Sequence, residues 1–267
     1  MPELPEIEVL ARRLKEQLIG KAVRSVKVYD HVVIHGRPVD SFESASVGES
    51  FQSFRPDGKF IIMRLEMHDL VVNPMLTGRF RVTEGPRSPI KSDMFSVRTD
   101  DSTLWYYDRK RMGRVYLVPK GDYSSVAGFA GRGPSPLDHE LTLDVFTKRI
   151  RHRRGQMKNV LRNQRFVKGI GNAYADEILL YAGILPFRKR SSLSDEEVER
   201  LYHSMRKVLL RVIDVLSDRD LSQLGSERRT FLMIHGKGGG ICPLCGGRIS
   251  EVTANRFKTN YCQTCQK

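Results

Sequence analysis

The chain has no run of about 18 apolar residues, so nothing in it reads as a membrane-spanning helix. Its opening, Met1-Pro2-Glu3-Leu4-Pro5-Glu6, is acidic and rich in proline, which is not the basic-then-apolar order of a secretory leader. Cysteine is absent from the first 241 residues, so no disulfide framework holds the bulk of the chain together. There is no internal repeat and no low-complexity tract. Between Arg151 and Arg165 there is no acid, although that stretch holds six Lys or Arg residues. These absences predict an intracellular protein, cytoplasmic and nucleoid-associated if bacterial, with no membrane partner.

What is present is a chain of 267 residues, long enough for one or two domains with a sizeable core. Lys and Arg outnumber Asp and Glu by 45 to 31, a net charge of +14, which favours a polyanionic partner over a basic surface that meets nothing in particular. The acid-free stretch (Arg151, Arg153, Arg154, Lys158, Arg162, Arg165) is interleaved with Met157, Val160 and Leu161. That mixture predicts a folded, phosphate-facing helix rather than a solvated tail.

All four cysteines fall between Cys242 and Cys265, as Cys242-x-x-Cys245 and Cys262-x-x-Cys265, with sixteen residues between the pairs. Two C-x-x-C pairs about 15–20 residues apart form the pattern of a four-thiolate zinc site. Two disulfides are the alternative, and the lack of an export signal argues against them. One structural zinc ion per chain is expected: four thiolates close the tetrahedron and leave no position for water.

Ile7, Leu10, Ala11, Leu14 and Leu18 recur at helical spacing and predict a helix from Pro2 to about Leu18. Strands are expected at Val23–Tyr29, Lys59–Glu66, Leu70–Val82, Met94–Thr99, Thr103–Tyr107 and Arg114–Val118, separated by Gly, Pro and Asp clusters. Residues 119–140, rich in Gly, Pro and Ser, read as a linker. Helices follow at Leu143–Arg154, Met157–Asn163, Asn172–Ala182 and Asp195–Leu216, the last introduced by Ser194 and Glu197 in capping-box spacing. The fold class is α+β and multidomain: residues 1–118 form an N-terminal helix with a β-sandwich, 141–235 a helical domain, and 236–267 a zinc finger.

Three segments could carry chemistry. Removal of Met1 would expose the secondary amine of Pro2. An α-amine has a pKa of about 7.7–8.0 against about 10.4 for Lys, so roughly a tenth is free base at neutral pH. Such an amine can attack C1′ of a nucleoside and form an iminium, with Glu3 beside it to move protons. The competing reading is that Pro and Glu simply suit the first turn of a helix. Lys168-Gly169-Ile170-Gly171-Asn172 joins two expected helices through a glycine turn that could offer N–H groups and the Asn172 amide to a phosphate; a plain tight turn explains it equally well. Asp108-Arg109-Lys110-Arg111-Met112-Gly113 lies between strands and could enter a duplex, or be a solvated basic hairpin.

At this point the chain resembles the formamidopyrimidine-DNA glycosylase / endonuclease VIII family of base-excision repair enzymes, over nearly its whole length. The resemblance rests on Pro2 to Glu6, Gly58-Lys59-Phe60, Leu76-Thr77-Gly78, Asp108 to Gly113, Gly133-Pro134, Gln164 with Gly169 through Glu177, Ala182-Gly183-Ile184, and the finger that ends Tyr261-Cys262-Gln263-Thr264-Cys265-Gln266. It implies an N-terminal β-sandwich, a helix–two-turn–helix motif in the helical domain, and a C-terminal zinc finger. It implies a bifunctional DNA glycosylase and abasic-site lyase, acting as a monomer on damaged double-stranded DNA, with β- and then δ-elimination. Pro2 would be the nucleophile, Glu3 its acid/base partner, and Lys59 a phosphate holder at the damaged site. Leu76, Lys110 and Met112 would fill the space left by a flipped nucleotide. Arg153, Asn172 and Arg256 would bind phosphate.

The chain departs from the formamidopyrimidine branch at all three void-filling positions, where Met, Arg and Phe are usual. Lys lacks the planar fork of Arg, so an altered opposite-base preference is expected. In the finger the family's Arg usually precedes the third Cys by five residues; Phe257 holds that place, and a one-residue bulge would be needed to bring Arg256 into it. The stretch from Asp220 to Phe231 is shorter than the family's lesion-covering loop, so weak 8-oxoguanine excision is expected. A non-catalytic damaged-DNA binding protein on the same scaffold is the alternative function. A zinc-ribbon transcription or translation factor explains the charge and cysteines but not the opening residues or the glycine turn.

Overall fold

The structure, a computed structural model, describes residues 1–85, 87–224, 229–254 and 257–267, with the backbone alone for Ser222 and Gln223. The chain divides into two compact units, Met1–Ala130 with Leu216–Glu227, and Gly131–Val215 with Arg228–Lys267.

The first unit opens with α1 (Leu4–Leu18). Its apolar face, with Leu4, Ile7, Leu10, Leu14 and Leu18, is buried. The N–H of Glu3 donates to the Glu6 carboxylate at 3.0 Å, which satisfies one of the donors a helix start leaves open. The strands are β1 (Ser25–Val28), β2 (Ile34–His35), β3 (Ser53–Asp57), β4 (Phe60–Arg64), β5 (His68–Asn73), β6 (Gly78–Glu84), β7 (Asp93–Arg98), β8 (Ser102–Asp108) and β9 (Arg114–Pro119), with a short helix α2 (Val39–Ser44) after β2. They form a four-stranded sheet in the order β1-β7-β8-β6 and a five-stranded sheet in the order β2-β9-β5-β4-β3. Val26 and Val97 of one sheet and Leu70 and Leu117 of the other line a common internal void, so the sheets face each other across one core. That is the expected β-sandwich.

Strand boundaries differ from the expectation in two places. The strand expected at Leu70–Val82 is two strands, because Met75 takes a left-handed φ of +50° and turns the chain. The edge strand β3 was not anticipated because it contains Pro56, which an edge position tolerates. Residues 119–130 are folded, not a loose tether. Val126 is buried and packs with Tyr123 and Phe129 over Phe60, Ile62, Val71 and Tyr116, on the far face of the five-stranded sheet.

The second unit contains α3 (Leu143–Arg151), α4 (Met157–Arg162), α5 (Asn172–Ala182) and α6 (Asp195–Ser217). The capping box at the start of α6 is formed: Glu197 N–H donates to Ser194 Oγ at 3.3 Å and Ser194 N–H to Glu197 Oε2 at 2.9 Å. The basic stretch is not one helix. The chain breaks at residues 152–156, with Gly155 at φ +97°. A short α7 (Leu221–Leu224) belongs to the first unit. The hairpin β10 (Ile249–Ala254) and β11 (Phe257–Cys262) completes the second, so helical segment and finger lie in the same compact unit. Among the described residues no helix is long and apolar enough to cross a membrane.

Candidate functional site

In the first unit, Glu3 is 3 % exposed, at the start of α1, and Pro2 just before it is buried. Pro2 borders a small cavity with Glu6, Leu10, Gly78, Arg79 and Phe80, and with Leu221 and Leu224 of α7. Met1 is 37 % exposed, so the residue whose removal would free the Pro2 amine is on the surface. α1 packs on β3 and β4. The tip joining those two strands is Gly58-Lys59, a two-residue turn closed by the Asp57–Phe60 pair, with Gly58 at φ +64°. Lys59 is half-buried there.

Leu76, Lys110 and Met112 come from two loops of the same unit that cross between the sheets, β5–β6 and β8–β9. Leu76 and Met112 are 38 % and 42 % exposed, and Lys110 is exposed as well. Asp108, completely buried, ties the loops together. Its Oδ2 accepts from the N–H groups of Met112 (2.8 Å) and Gly113 (2.7 Å), its Oδ1 accepts from Lys110 N–H (3.1 Å), and the Thr77 hydroxyl donates to Oδ1. Lys110 N–H also reaches Thr77 Oγ1 at 3.0 Å. Beneath both loops lies the hydroxyl of Tyr106, buried among Phe80 and Phe95. A side chain on either Gly78 or Gly113 would overlap that hydroxyl, so both positions need glycine. The three exposed tips therefore stand on one rigid frame. Composition marked the Asp108–Gly113 loop as basic; the Thr77–Asp108 link that joins it to the β5–β6 loop is a long-range pairing with no local signature.

In the second unit, Gln164 shapes the glycine turn. Its amide donates to the carbonyls of Arg162 (2.8 Å) and Ile170 (2.7 Å), and its Oε1 accepts from Gly169 N–H at 2.8 Å. Asn172, first residue of α5, donates from Nδ2 to the Lys258 carbonyl at 2.8 Å, and its Oδ1 is buried with no hydrogen-bond partner among the described residues. Arg153 donates to the Arg165 carbonyl at 3.0 Å and lies over the Phe166 ring. The turn brings Asn172 to the finger but leaves Arg153 with Arg165 and Phe166.

Lys158 corrects the phosphate-facing expectation for the basic stretch. It is 5 % exposed, and its Nζ lies 2.7 Å from Asp176 Oδ1, 2.8 Å from the Lys258 carbonyl and 2.9 Å from Thr259 Oγ1. Asp176 also pairs with His235 Nδ1 at 2.7 Å and accepts from Asn260 N–H at 3.2 Å. The next residue, Glu177, accepts from the N–H groups of Met233, Ile234 and His235 at 2.8–2.9 Å. A buried charge must be paired. Two adjacent acids inside the otherwise apolar α5 were the sequence signal that could have found this network.

The four cysteine sulfurs lie within 4.8 Å of one another, with Cys242–Cys265 at 3.8 Å and Cys245–Cys262 at 3.5 Å. Zn–S bonds of about 2.3 Å in a tetrahedron place sulfurs roughly 3.8 Å apart. The donor set fits a structural zinc ion. Burial opposes ionisation of Cys262, but hydrogen bonds from the Cys265 N–H and the neighbouring thiols pull its pKa down to about 7. Burial pushes the Cys242 and Cys265 thiols up. The hairpin register runs unbroken from Ile249–Cys262 to Ala254–Phe257. No bulge occurs among its described residues, and Phe257 takes the Arg162 guanidinium over its ring at 3.9 Å. Arg256 lies outside the described residues, as do residues 225–228 of the expected lesion-covering stretch.

Comparison with known proteins follows the same division. The family model described as the formamidopyrimidine-DNA glycosylase N-terminal domain matches residues 1–115, and that described as its H2TH domain matches residues 132–220. The formamidopyrimidine-DNA glycosylase of Symbiobacterium thermophilum is 33 % identical over 273 residues, covering 100 % of this chain and 89 % of the relative. That of Thermus thermophilus is 32 % identical over 276 residues, covering 100 % and 98 %. Among solved structures, the Lactococcus lactis Fpg in complex with DNA containing an abasic site aligns with a TM-score of 0.90 at 25 % identity, covering 99 % of each chain. The same protein with DNA containing FAPY-dG aligns at 0.89 and 24 % identity, covering 99 % of this chain and 100 % of that one.

Proposed function

The chain belongs to the formamidopyrimidine-DNA glycosylase family, and from that premise we propose that it is a bifunctional glycosylase and abasic-site lyase whose nucleophile is the amine of Pro2. Its substrate is damaged duplex DNA; the Lactococcus lactis relative holds DNA containing an abasic site. The observation that carries this reading is the position of Pro2. It opens α1 at a small cavity, beside Gly78 and Arg79, at the foot of the loop that bears Leu76. An amine freed there would lie at the base of the β5–β6 loop, whose Leu76 would enter the space of a flipped nucleotide. Flipping is needed because C1′ is shielded inside a stacked duplex.

In this mechanism the Pro2 nitrogen forms a bond to C1′ as the C1′–N glycosidic bond breaks, and the base leaves carrying a proton. The sugar ring opens to an iminium. Loss of the C2′ proton expels the 3′ phosphate, and a second elimination expels the 5′ phosphate. Water then hydrolyses the iminium and returns the amine. Glu3, adjacent to the nucleophile and buried, moves the protons. Lys59, on a rigid two-residue turn, holds a phosphate. Leu76, Lys110 and Met112 support the vacated stack, and Arg153, Asn172 and Arg256 hold the strand. Cys242, Cys245, Cys262 and Cys265 would hold the zinc ion, which braces the finger and enters no step.

Borohydride trapping on a duplex with one abasic site, followed by mass spectrometry of the N-terminus, tests the assignment. The expected result is a covalent adduct on Pro2 with Met1 removed, lost in Pro2→Gly while damaged-DNA binding persists. Full cleavage by Pro2→Gly would assign the chemistry to another amine. No adduct from correctly processed wild type would make the chain a damage-binding protein.

A further inference from the structure

The outward face of the four-stranded sheet should be plainly hydrophilic, since its other face supplies the core. Across it runs a register line of Lys27, Ser96, Trp105 and Arg81. Trp105 is only 3 % exposed, which is unusual for a side chain on a solvent-facing row. Two neighbours cover it. The Arg87 guanidinium lies 3.7 Å above its ring, and the Tyr29 ring stacks beside it at 5.8 Å with planes 13° apart.

Arg87 is itself held flat. Its two terminal nitrogens pair with the two oxygens of Asp93, each at 2.9 Å, and the Asp93 side chain is fully buried. The Tyr29–Trp105–Arg87 stack is therefore pre-arranged, with one planar cation and one aromatic ring, 37 % exposed, at its open ends. It borders a groove of about 470 Å3. Lys27 and Arg98 also line that groove, and both are exposed with no ionic partner among the described residues. The groove's two acids, Asp100 and Asp101, are already paired with Arg24 (2.5 Å) and Lys21 (2.8 Å). A flat stacking surface beside two uncompensated cations has the chemistry of a site for an unstacked nucleobase carrying a phosphate.

We propose that this sheet face binds a single-stranded nucleotide segment, with one base stacked on the exposed Tyr29 ring and its flanking phosphates on Lys27 and Arg98. The site does not depend on the Pro2 chemistry. It would hold unpaired strand on the sheet face, whose Tyr29 adjoins Asp30, the ion-pair partner of Arg111 (2.6 Å) in the loop that bears Lys110 and Met112.

Trp105 is the only tryptophan in the chain, so its fluorescence reports on this face alone. The test titrates the full-length protein with (dT)8 and, separately, with thymidine 5′-monophosphate, in the presence of a saturating duplex carrying a stable abasic-site analogue. Saturable quenching is expected. For (dT)8 the salt slope should be about −1.4, from two phosphate contacts at roughly 0.7 each on a single strand. Lys27→Ala with Arg98→Ala should weaken binding about tenfold and leave abasic-site cleavage unchanged. Equal affinity for the mononucleotide would assign the site to free nucleotides; selective binding of (dT)8 would assign it to strand. Unchanged Trp105 emission with both probes up to millimolar concentration would overturn the proposal. So would quenching that neither double substitution nor Tyr29→Ala alters, once thermal melts show both variants folded.

Discussion

Asp108→Ala removes the buried acceptor that holds both the β5–β6 and the β8–β9 loop. Met112 N–H and Gly113 N–H donate to its Oδ2 at 2.8 and 2.7 Å, whereas Lys110 N–H is shared between Oδ1 and Thr77 Oγ1. A hydrogen bond to a charged group contributes about 1.5–3 kcal/mol, and the loss is largest when the orphaned donor stays buried. Met112 and Gly113 together therefore stand for roughly 3–6 kcal/mol. The loop tips are exposed, so water can enter once the acceptor is gone, and the lower end applies. About 3 kcal/mol is roughly a hundredfold in the local opening equilibrium, at about 1.4 kcal/mol per factor of ten. Amide hydrogen exchange measures this directly. Met112 and Gly113 should exchange about a hundredfold faster in Asp108→Ala, Lys110 less so because Thr77 remains, and the central strand β5 at its original rate. Asp108→Asn, which keeps one acceptor oxygen, should fall between. Wild-type exchange at Met112 and Gly113 in Asp108→Ala would refute the idea that this carboxylate holds the loops.

Lys158→Met leaves Asp176 buried with its ammonium partner gone and should destabilise the second unit by about 3–5 kcal/mol, read from denaturant midpoints. Lys158→Met with Asp176→Leu should recover most of that loss; a neutral single substitution would mean the pair is not a structural requirement. Cys262→Ser should lower bound zinc from about one ion per chain to well below that, and expose the amides of Gly246 and Gly247 to exchange, because metal binding and finger folding are linked; full zinc retention would remove Cys262 from the ligand set. Burial raises the Asp69 pKa, but the Arg64 guanidinium, the Tyr123 hydroxyl and the Gly121 N–H outweigh it and leave the pKa lowered. A lowered folded-state pKa contributes stability above the ordinary carboxylate value of about 3.9, lost as pH falls below it. Denaturant midpoints between pH 6 and pH 3 should therefore drop, and Asp69→Asn should flatten that drop; an equal drop in the variant would assign the acid sensitivity elsewhere.

Periodicity carried much of the architecture. The stripe of Ile7, Leu10, Leu14 and Leu18 located α1, and Ser194 with Glu197 located the start of α6, because those signals are local. The spacing of the cysteines located the metal-type cluster for the same reason. What sequence hid is non-local. Nothing near Lys158 announces that its partner is Asp176, so one cation of a basic stretch was read as phosphate-facing when it is buried. Pro56 masked an edge strand, and the left-handed turn at Met75 split what alternation alone read as one strand. The roles of Pro2, Glu3 and Lys59 came from family resemblance; the physical reading of six opening residues could not separate a nucleophile from a helix start.

Gly78 and Gly113 both rest on the Tyr106 hydroxyl, and this has a consequence for how such a protein can change over generations. The frame is intolerant, since a single added carbon at either glycine collides with the same oxygen. The tips are permissive, since Leu76, Lys110 and Met112 point outward from backbone that Asp108 and Thr77 already hold. On the proposed reading of these tips, substitution there would alter which damaged pairs are accepted without renegotiating the fold beneath. A lineage would then drift through lesion preferences, on that same reading, by changing three side chains while the two glycines and the tyrosine stay fixed.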